Sequence, residues 1–183
     1  MSIKIAGICG SLRKDSFNKK LLQTAVSLCP REAVIKVVDW SALPVFNQDL
    51  EVDFPDSAKK FKEQIRSADA ILIVTPEYNY GVPGPLKNVI DWGSRPYGDS
   101  AWQGKPVALM GASPGRLGTV RAQVALRQSF VFLDMHPVNS PEVFVGSAHE
   151  KFDAKGNYTD EDGKKIIVKL LEELIELTKK LKE

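Results

Sequence analysis

Two tyrosines and an asparagine lie within the nine residues 76–84, together with two prolines and two glycines. Proline restricts the backbone, whereas glycine permits close approach or positive φ. A rigid loop of this composition can direct backbone N–H and C=O groups at the edge of a heterocycle, while Tyr78 or Tyr80 lies against its face. The segment therefore predicts a site for a flat ring. The alternative is a proline- and glycine-rich turn whose tyrosines cap the core.

A second distinctive segment, residues 10–18, reads Gly-Ser-Leu-Arg-Lys-Asp-Ser-Phe-Asn and leads into a predicted helix. Free N–H groups at a helix start favour an anion, and the Ser11, Ser16 and Asn18 side chains add neutral donors. Arg13 adds a forked cation that suits phosphate oxygens. Neither the Walker motif nor the dinucleotide fingerprint G-x-G-x-x-G is present. We therefore favour a phosphomonoester, with simple helix capping as the alternative.

A third segment, residues 111–118, reads Gly-Ala-Ser-Pro-Gly-Arg-Leu-Gly and follows another apolar run. Ser113 and the neighbouring N–H groups could contact the far end of the same ligand. A glycine-rich turn without a ligand is the alternative.

Alternating strands and helices connect these segments. The predicted strands cover residues 3–9, 33–38, 69–75 and 106–111, with a fifth between 136 and 144. The predicted helices cover residues 18–28, 57–67, 85–92 and 118–133, with a last one that begins near 159. Such alternation implies right-handed crossovers and a parallel sheet covered on both faces. We therefore predict an α/β fold, a flavodoxin-like three-layer sandwich with a five-stranded parallel sheet in the order 2-1-3-4-5.

Each of the three segments follows a predicted strand. The carboxyl ends of parallel strands meet at one edge of the sheet, where open α/β folds bind ligands. We therefore expect one cleft, with the phosphate at one end and the ring at the other. Asp39, near the end of the second strand, would suit a ribose if a dinucleotide fingerprint accompanied it.

The C-terminal region is predicted to be a polar loop followed by a docking helix. Residues 151–163 are polar and contain two glycines, which predicts an exposed loop. Thr159 and Asp162 have the spacing of a capping box at the start of the helix. An apolar stripe at helical spacing follows, formed by Ile167, Leu170, Leu171, Leu174, Leu177 and Leu181.

The bulk composition fits one globular domain spanning residues 1–183, with 43% apolar and 26% charged residues. A net charge of +2 is too small to indicate nucleic-acid binding. We expect no membrane insertion and a cytoplasmic location, because no apolar run approaches roughly 20 residues and no signal-peptide pattern is present. Cys9 and Cys29 are expected to be reduced packing residues. No metal site is expected, because His136 and His149 lack a clustered ligand set.

Three motifs occur in a specific order along the chain. They are Gly-Ser-Leu-Arg at 10–13 with Ser16 and Asn18, Pro-Glu-Tyr-Asn-Tyr-Gly-Val-Pro-Gly at 76–84, and Leu-Lys-Asn-Val-Ile-Asp-Trp at 86–92. Through them, the region from about Lys4 to Glu142 resembles the NADPH-dependent FMN reductase family, which includes bacterial chromate and quinone reductases. The resemblance implies a flavodoxin-like fold, bound FMN, NADPH or NADH as co-substrate, and a homodimer or homotetramer.

The resemblance also implies site residues. The FMN phosphate would be held by Ser11, Arg13, Ser16 and Asn18, with Phe17 among the cofactor-binding residues. The isoalloxazine would be lined by Pro76, Glu77, Tyr78 and Asn79, with Ser113 and Gly115 closing the site. No side chain is expected to be catalytic, because flavin N5 carries the chemistry. In related proteins Arg121 and Glu142 correspond to residues that join subunits of the tetramer, but their companion tyrosine is Val124 here.

The implied reaction passes hydride from NAD(P)H through FMN N5 to quinones by a ping-pong mechanism, with side activity on chromate, azo compounds or other acceptors. Tyr80 and Arg95 are the expected substrate-binding residues, and a surface ion pair is an equal alternative for Arg95. A one-electron carrier of the flavodoxin type is a second hypothesis, which the balanced charge disfavours because such carriers are strongly acidic. A non-catalytic flavin-binding redox sensor is a third.

Overall fold

A parallel sheet forms the centre of the computed structural model, which describes residues 2–183. Its strands are β1 (Ile3–Cys9), β2 (Ala33–Val37), β3 (Ala70–Val74), β4 (Pro106–Ala112), β5 (His136–Pro137) and β6 (Val143–Val145). The order β2-β1-β3-β4-β5 confirms the predicted topology. The fifth position is shared, however, because β5 pairs with the start of β4 and β6 pairs with its end. Pro141 lies between the two short strands and has no N–H to donate to the sheet.

The helices lie close to their predicted ranges. They are α1 (Phe17–Ser27), α2 (Asp56–Arg66), α3 (Gly84–Ser94), α4 (Val120–Leu133) and α5 (Glu161–Lys180). The predicted capping box at Thr159 and Asp162 is wrong, because Asp160 is the N-cap and its carboxylate accepts from the Gly163 N–H at 3.0 Å. Asp160 thereby satisfies one of the free donors of the first turn. Across residues 2–183, no helix has the length and apolarity needed to cross a membrane.

Two apolar cores hold the helices against the sheet. On one face, α1 and α5 pack on side chains that include Ile5, Leu72 and Met110. On the other face, α2, α3 and α4 pack on side chains that include Ile8 and Ile73. Burying an aliphatic side chain of this size contributes about 1.5–3 kcal/mol. The strand ends are therefore fixed, and with them the loops that leave the carboxyl edge.

Residues 151–163 are not the simple exposed loop that the polar composition predicts. Phe152 and Tyr158 form a β-bridge, with ring centroids 5.1 Å apart, and Tyr158 is only 3% exposed. Between them, Asp153 holds a tight turn by accepting from the N–H groups of Lys155 and Asn157. The segment packs through these two aromatic side chains. The prediction missed this because most residues of the segment are polar.

The buried phenol of Tyr158 makes stability depend on pH. Burial raises the pKa of Tyr158 to about 12 from 10.0, and the nearby Asp160 carboxylate acts in the same direction. Above pH 10 the unfolded chain releases the phenol proton first, so stability is lost as the pH rises from about 10 to 12. The loss is on the order of 2–3 kcal/mol, at about 1.4 kcal/mol per pKa unit.

Urea unfolding at pH 9 and pH 11.5 measures this effect. The wild type is expected to lose more stability between the two pH values than Tyr158→Phe, which has no proton to release. Equal losses in both proteins would show that Tyr158 does not carry the pH dependence.

Candidate functional site

Three loops leave the carboxyl edge of the sheet side by side: loop 1 (residues 10–16) after β1, loop 2 (75–83) after β3 and loop 3 (113–119) after β4. In loop 1, Ser11 and Ser16 are buried and Arg13 is exposed. Ser16 Oγ caps α1 by accepting from the Asn18 N–H at 3.2 Å, and its own proton is left to donate. Loop 1 therefore combines hydroxyl donors, a guanidinium and the amino end of a helix, as an anion site requires.

Asn18 ties loop 1 to the end of β4. Its side-chain amide donates to the Ala112 carbonyl at 2.9 Å, and its Oδ1 accepts from the Ala112 N–H at 2.9 Å. The side chain is 3% exposed, so both hydrogen bonds are shielded from water. The carbonyl oxygen and one of the two amide N–H donors of Asn18 are therefore committed to the backbone, and Asn18 positions loop 1 relative to β4.

Loop 2 contains a two-residue hairpin turn that exposes its tyrosines. The Tyr78 N–H donates to the Gly81 carbonyl at 3.2 Å, and the Gly81 N–H donates to the Tyr78 carbonyl at 2.9 Å. Asn79 and Tyr80 between them have φ of 50° and 64°. Positive φ suits asparagine but is rare for tyrosine, and such strain concentrates at ligand sites. Tyr78 and Tyr80 are 47% and 72% exposed, which leaves aromatic faces available at the edge of the sheet.

Glu77 joins loop 2 to α4 instead of pointing freely at a ligand. Its Oε2 accepts from the Arg121 and Ala122 N–H groups at 2.9 and 3.2 Å, and its Oε1 pairs with the Arg121 guanidinium at 3.3 Å. Thr119, the N-cap residue, makes no side-chain cap, so Glu77 caps α4 from outside the helix. The Arg121 guanidinium also lies 3.8 Å from the centroid of the Tyr80 ring. One network thus sets the relative positions of loop 2 and α4.

Loop 3 is held by the segment that follows β6. The Ser113 N–H donates to Val145 and its carbonyl accepts from Ala148, while the Gly115 carbonyl accepts from Ser147. Ser113 Oγ accepts from the Gly115 N–H at 3.1 Å. A Cβ on Gly146 would lie 2.2 Å from the Arg116 carbonyl oxygen, so only glycine fits there. Sequence reasoning missed Gly146, and its position close to the end of a predicted strand was the available signal, because glycine near a strand marks close backbone approach.

The side chains of two predicted residues make other contacts, although Phe17 begins α1 directly after loop 1 and so lies at this edge. Phe17 is half-buried and packs on Phe152, with ring centroids 5.5 Å apart. Arg95 follows the end of α3, a helix about 16 Å long that runs from loop 2 toward the opposite edge of the sheet. Its guanidinium pairs with Glu51 at 3.5 Å and lies 3.9 Å from the Tyr97 ring centroid. Within one chain, Arg95 therefore makes the ion pair that the sequence offered as an alternative.

Positive charge surrounds the three loops. Arg13, Lys14 and Arg116 are exposed, and within residues 2–183 none of them forms a salt bridge. Asp15 is paired with Lys20, and Glu77 is paired with Arg121. The unpaired cations favour a negatively charged ligand. The part of the chain that the structure describes holds no cluster of three or more metal-ligating side chains.

Comparison with known proteins gives consistent matches over nearly the whole chain. Residues 3–150 match the family described as NADPH-dependent FMN reductase. An NAD(P)H-dependent FMN reductase of Pseudomonas aeruginosa is 49% identical over 94% of this chain and 93% of its own length. A 2-hydroxy-1,4-benzoquinone reductase of a Burkholderia species is 47% identical over 91% of both chains. A solved flavoenzyme NAD(P)H:(acceptor) oxidoreductase from Paracoccus denitrificans superimposes with a TM-score of 0.89, at 36% identity over 97% of this chain and 98% of that one.

Proposed function

This chain belongs to the NADPH-dependent FMN reductase family, and on that basis we propose that its three loops hold FMN and that it transfers hydride from NADH or NADPH to quinones. One observation carries the proposal. Asn18 and Glu77 hold three loops together at one edge of the sheet: loop 1 with its hydroxyls and guanidinium, loop 2 with its strained, exposed tyrosines, and loop 3 with Ser113. These residues fit FMN, which has a phosphomonoester at one end and a flat ring at the other.

Loop 1 would bind the phosphate. Ser11 and Ser16 offer hydroxyl donors, Arg13 offers a forked cation, and the first turn of α1 adds N–H groups and the positive end of its dipole. Asn18 would act indirectly, by holding α1 against β4. The phosphate would therefore be bound by hydrogen bonds and charge together.

Loops 2 and 3 would orient the ring. The backbone of residues 76–79 would line its edge, Tyr78 would lie beside it, and Ser113 and Gly115 would close the site. Bound FMN supplies hydride chemistry at N5, and the protein supplies binding and orientation. Fixed backbone N–H groups would stabilise the negative charge that reduction places on the ring. We assign no side chain to the bond-breaking step. Tyr80 would contact the nucleotide or quinone that approaches the exposed face of the ring.

We propose a ping-pong cycle, in which NAD(P)H binds over the ring first and the quinone then occupies the same face. The support is the exposed aromatic pair of Tyr78 and Tyr80 at the loop 2 edge, where both substrates would approach the same face of the ring. Initial velocities at several fixed quinone concentrations test this order, with parallel double-reciprocal lines expected. Intersecting lines would require both substrates to be bound together. Chromate and azo compounds can be assayed as acceptors in the same way, and we expect them to react more slowly than quinones.

Arg13→Ala is expected to weaken FMN binding. A charged hydrogen bond contributes about 1.5–3 kcal/mol, so the Kd for FMN should rise about 10- to 100-fold. Fluorescence quenching of FMN titrated into apoprotein measures this Kd. Arg31→Ala is a matched control, because Arg31 is exposed before β2, at the opposite edge of the sheet. Equal Kd values for Arg13→Ala and wild type would remove Arg13 from the phosphate site.

We also propose that the chain acts as one domain and assembles into a homodimer or homotetramer in the cytoplasm. The exposed side chains of Val124, Val131 and Phe132 lie on one face of α4, at spacings of seven and eight residues. An apolar face of this kind suits a contact with a second copy. The two free cysteines, Cys9 and Cys29, fit a reducing compartment. Sedimentation velocity on the FMN-loaded protein tests the assembly, and a monomer would contradict it.

A further inference from the structure

A separate cavity adjoins loop 1 on the side that faces β2. Its volume is about 270 Å³, and its walls include apolar side chains from loop 1, α1 and β2, among them Leu12, Leu22 and Val37. Asn18 instead binds β4, on the other side of α1. The volume lies just below the range of about 300–1,000 Å³ that is usual for whole small-molecule ligands. The cavity therefore suits a fragment of nucleoside size.

The polar groups of this cavity suit a sugar. Asp39 follows the end of β2, and its Oδ1 accepts from the Ser41 N–H at 2.9 Å, which leaves Oδ2 to accept from a ligand. The bonds from Ser41 hold the pKa of Asp39 below its ordinary value, and Lys19 acts in the same direction, so this exposed carboxyl is ionised at neutral pH. In dinucleotide-binding folds a carboxylate just past the second strand binds ribose hydroxyls. The fingerprint that accompanies it there is absent here, so the assignment of Asp39 rests on the cavity and on its free Oδ2.

Among the side chains that line the cavity, only Asp39 and Lys19 are charged. Lys19 also lines the cavity, and its Nζ donates to the Leu12 carbonyl at 3.3 Å. Ser11, Gln23 and Ser41 also line the cavity, and their polar side chains carry no charge. A phosphate on the ribose would bring negative charge against Asp39, with Lys19 alone in the cavity to offset it.

We propose that this cavity receives the adenosine end of the nicotinamide dinucleotide, with Asp39 accepting from the ribose hydroxyls, and that the enzyme consequently prefers NADH to NADPH. The inference rests on the proposed function, because the nicotinamide ring must lie over the FMN ring. The dinucleotide then extends across loop 1, whose Ser11 and Leu12 form part of the cavity wall. In this arrangement FMN would not enter the cavity, although Ser11, which would bind the FMN phosphate, also forms part of the cavity wall.

The experiment compares KM for NADH and NADPH in the FMN-loaded wild type and in Asp39→Asn, which keeps an acceptor for Ser41 but has no charge. We expect KM for NADH to be lower than KM for NADPH in the wild type. In Asp39→Asn, KM for NADH should rise about tenfold, because a charged hydrogen bond is lost, and KM for NADPH should fall. Asp53→Asn, at an exposed position in the loop before α2, should leave both values unchanged.

Inhibition of the wild type by adenosine 5′-monophosphate is a second, independent test. The monophosphate should inhibit competitively against NADH and more strongly than adenosine 2′,5′-bisphosphate does. The inference is overturned if the ratio of the two KM values is the same in Asp39→Asn and wild type, or if the monophosphate does not compete. In either case, continued oxidation of NADH with a quinone would leave the proposed function intact. If neither NADH nor NADPH reduced the flavin of the FMN-loaded wild type, the proposed function itself would be contradicted.

Discussion

Replacing Asn18 with alanine is expected to lower the free energy of unfolding by about 2–6 kcal/mol and to release FMN from the protein. The change removes both hydrogen bonds to Ala112 and leaves a buried N–H and a buried C=O without partners. Each unsatisfied buried group costs about 1–3 kcal/mol. Loop 1 would also lose its attachment to β4, so the phosphate donors would no longer be aligned.

Asn18→Asp separates the two effects. Aspartate can still accept from the Ala112 N–H, but it cannot donate to the Ala112 carbonyl, and it adds a negative charge close to loop 1. We expect FMN binding in Asn18→Asp to be weaker than in Asn18→Ala, because the charge repels the phosphate. Urea unfolding and FMN titration measure the two effects, with Gln128→Ala as an exposed amide control. An Asn18→Ala variant with the midpoint and FMN affinity of the wild type would show that this attachment is dispensable.

Glu77→Ala is expected to lower the free energy of unfolding by about 2–4 kcal/mol, because it removes the carboxylate that caps the first turn of α4 together with its charged hydrogen bond to Arg121. Arg121 would lose its carboxylate partner, and the strained turn at Asn79 and Tyr80 would lose its anchor. We therefore expect the Kd for FMN to rise at least about tenfold, through displacement of loop 2.

The conservative variant Glu77→Gln should recover part of the loss, since an amide oxygen still accepts from the two N–H groups at the start of α4. Glu63→Ala, at an exposed position on α2, is the matched control. Thermal unfolding and the rate of FMN release report the two consequences separately. If Glu77→Ala loses stability but keeps FMN as tightly as the wild type, then loop 2 does not depend on Glu77 for its shape.

The fold could be predicted from the sequence because its signals are local. The run at Ala70–Val74 is wholly buried, as a central parallel strand requires, and every helix has an apolar stripe at helical spacing. The sheet order follows from alternation and handedness. The split of the last strand was not predicted, although Pro141 within the predicted range 136–144 is a sign of an interrupted strand. Which residues on each side pair with β4 depends on the assembled sheet.

The partners of polar side chains could not be predicted. Asn18 at the start of α1 and Glu77 in loop 2 look like ligand contacts, yet each binds a backbone group far along the chain, 94 and 44 residues away. Arg95 lies close to loop 2 in sequence, but α3 carries it to the opposite edge. In each case the deciding contact depends on the assembled sheet, and residue type and spacing do not contain that information.

The central claim is that these loops hold FMN and relay hydride from a nicotinamide nucleotide to a quinone. An anaerobic absorption titration of the purified protein tests it most directly. NADH should bleach the oxidised flavin spectrum, and one equivalent of a benzoquinone per FMN should then restore it with no further nucleotide. A protein that FMN cannot colour, or a yellow protein whose spectrum neither NADH nor NADPH changes, would contradict the claim, and the second result would favour a one-electron carrier or a redox sensor.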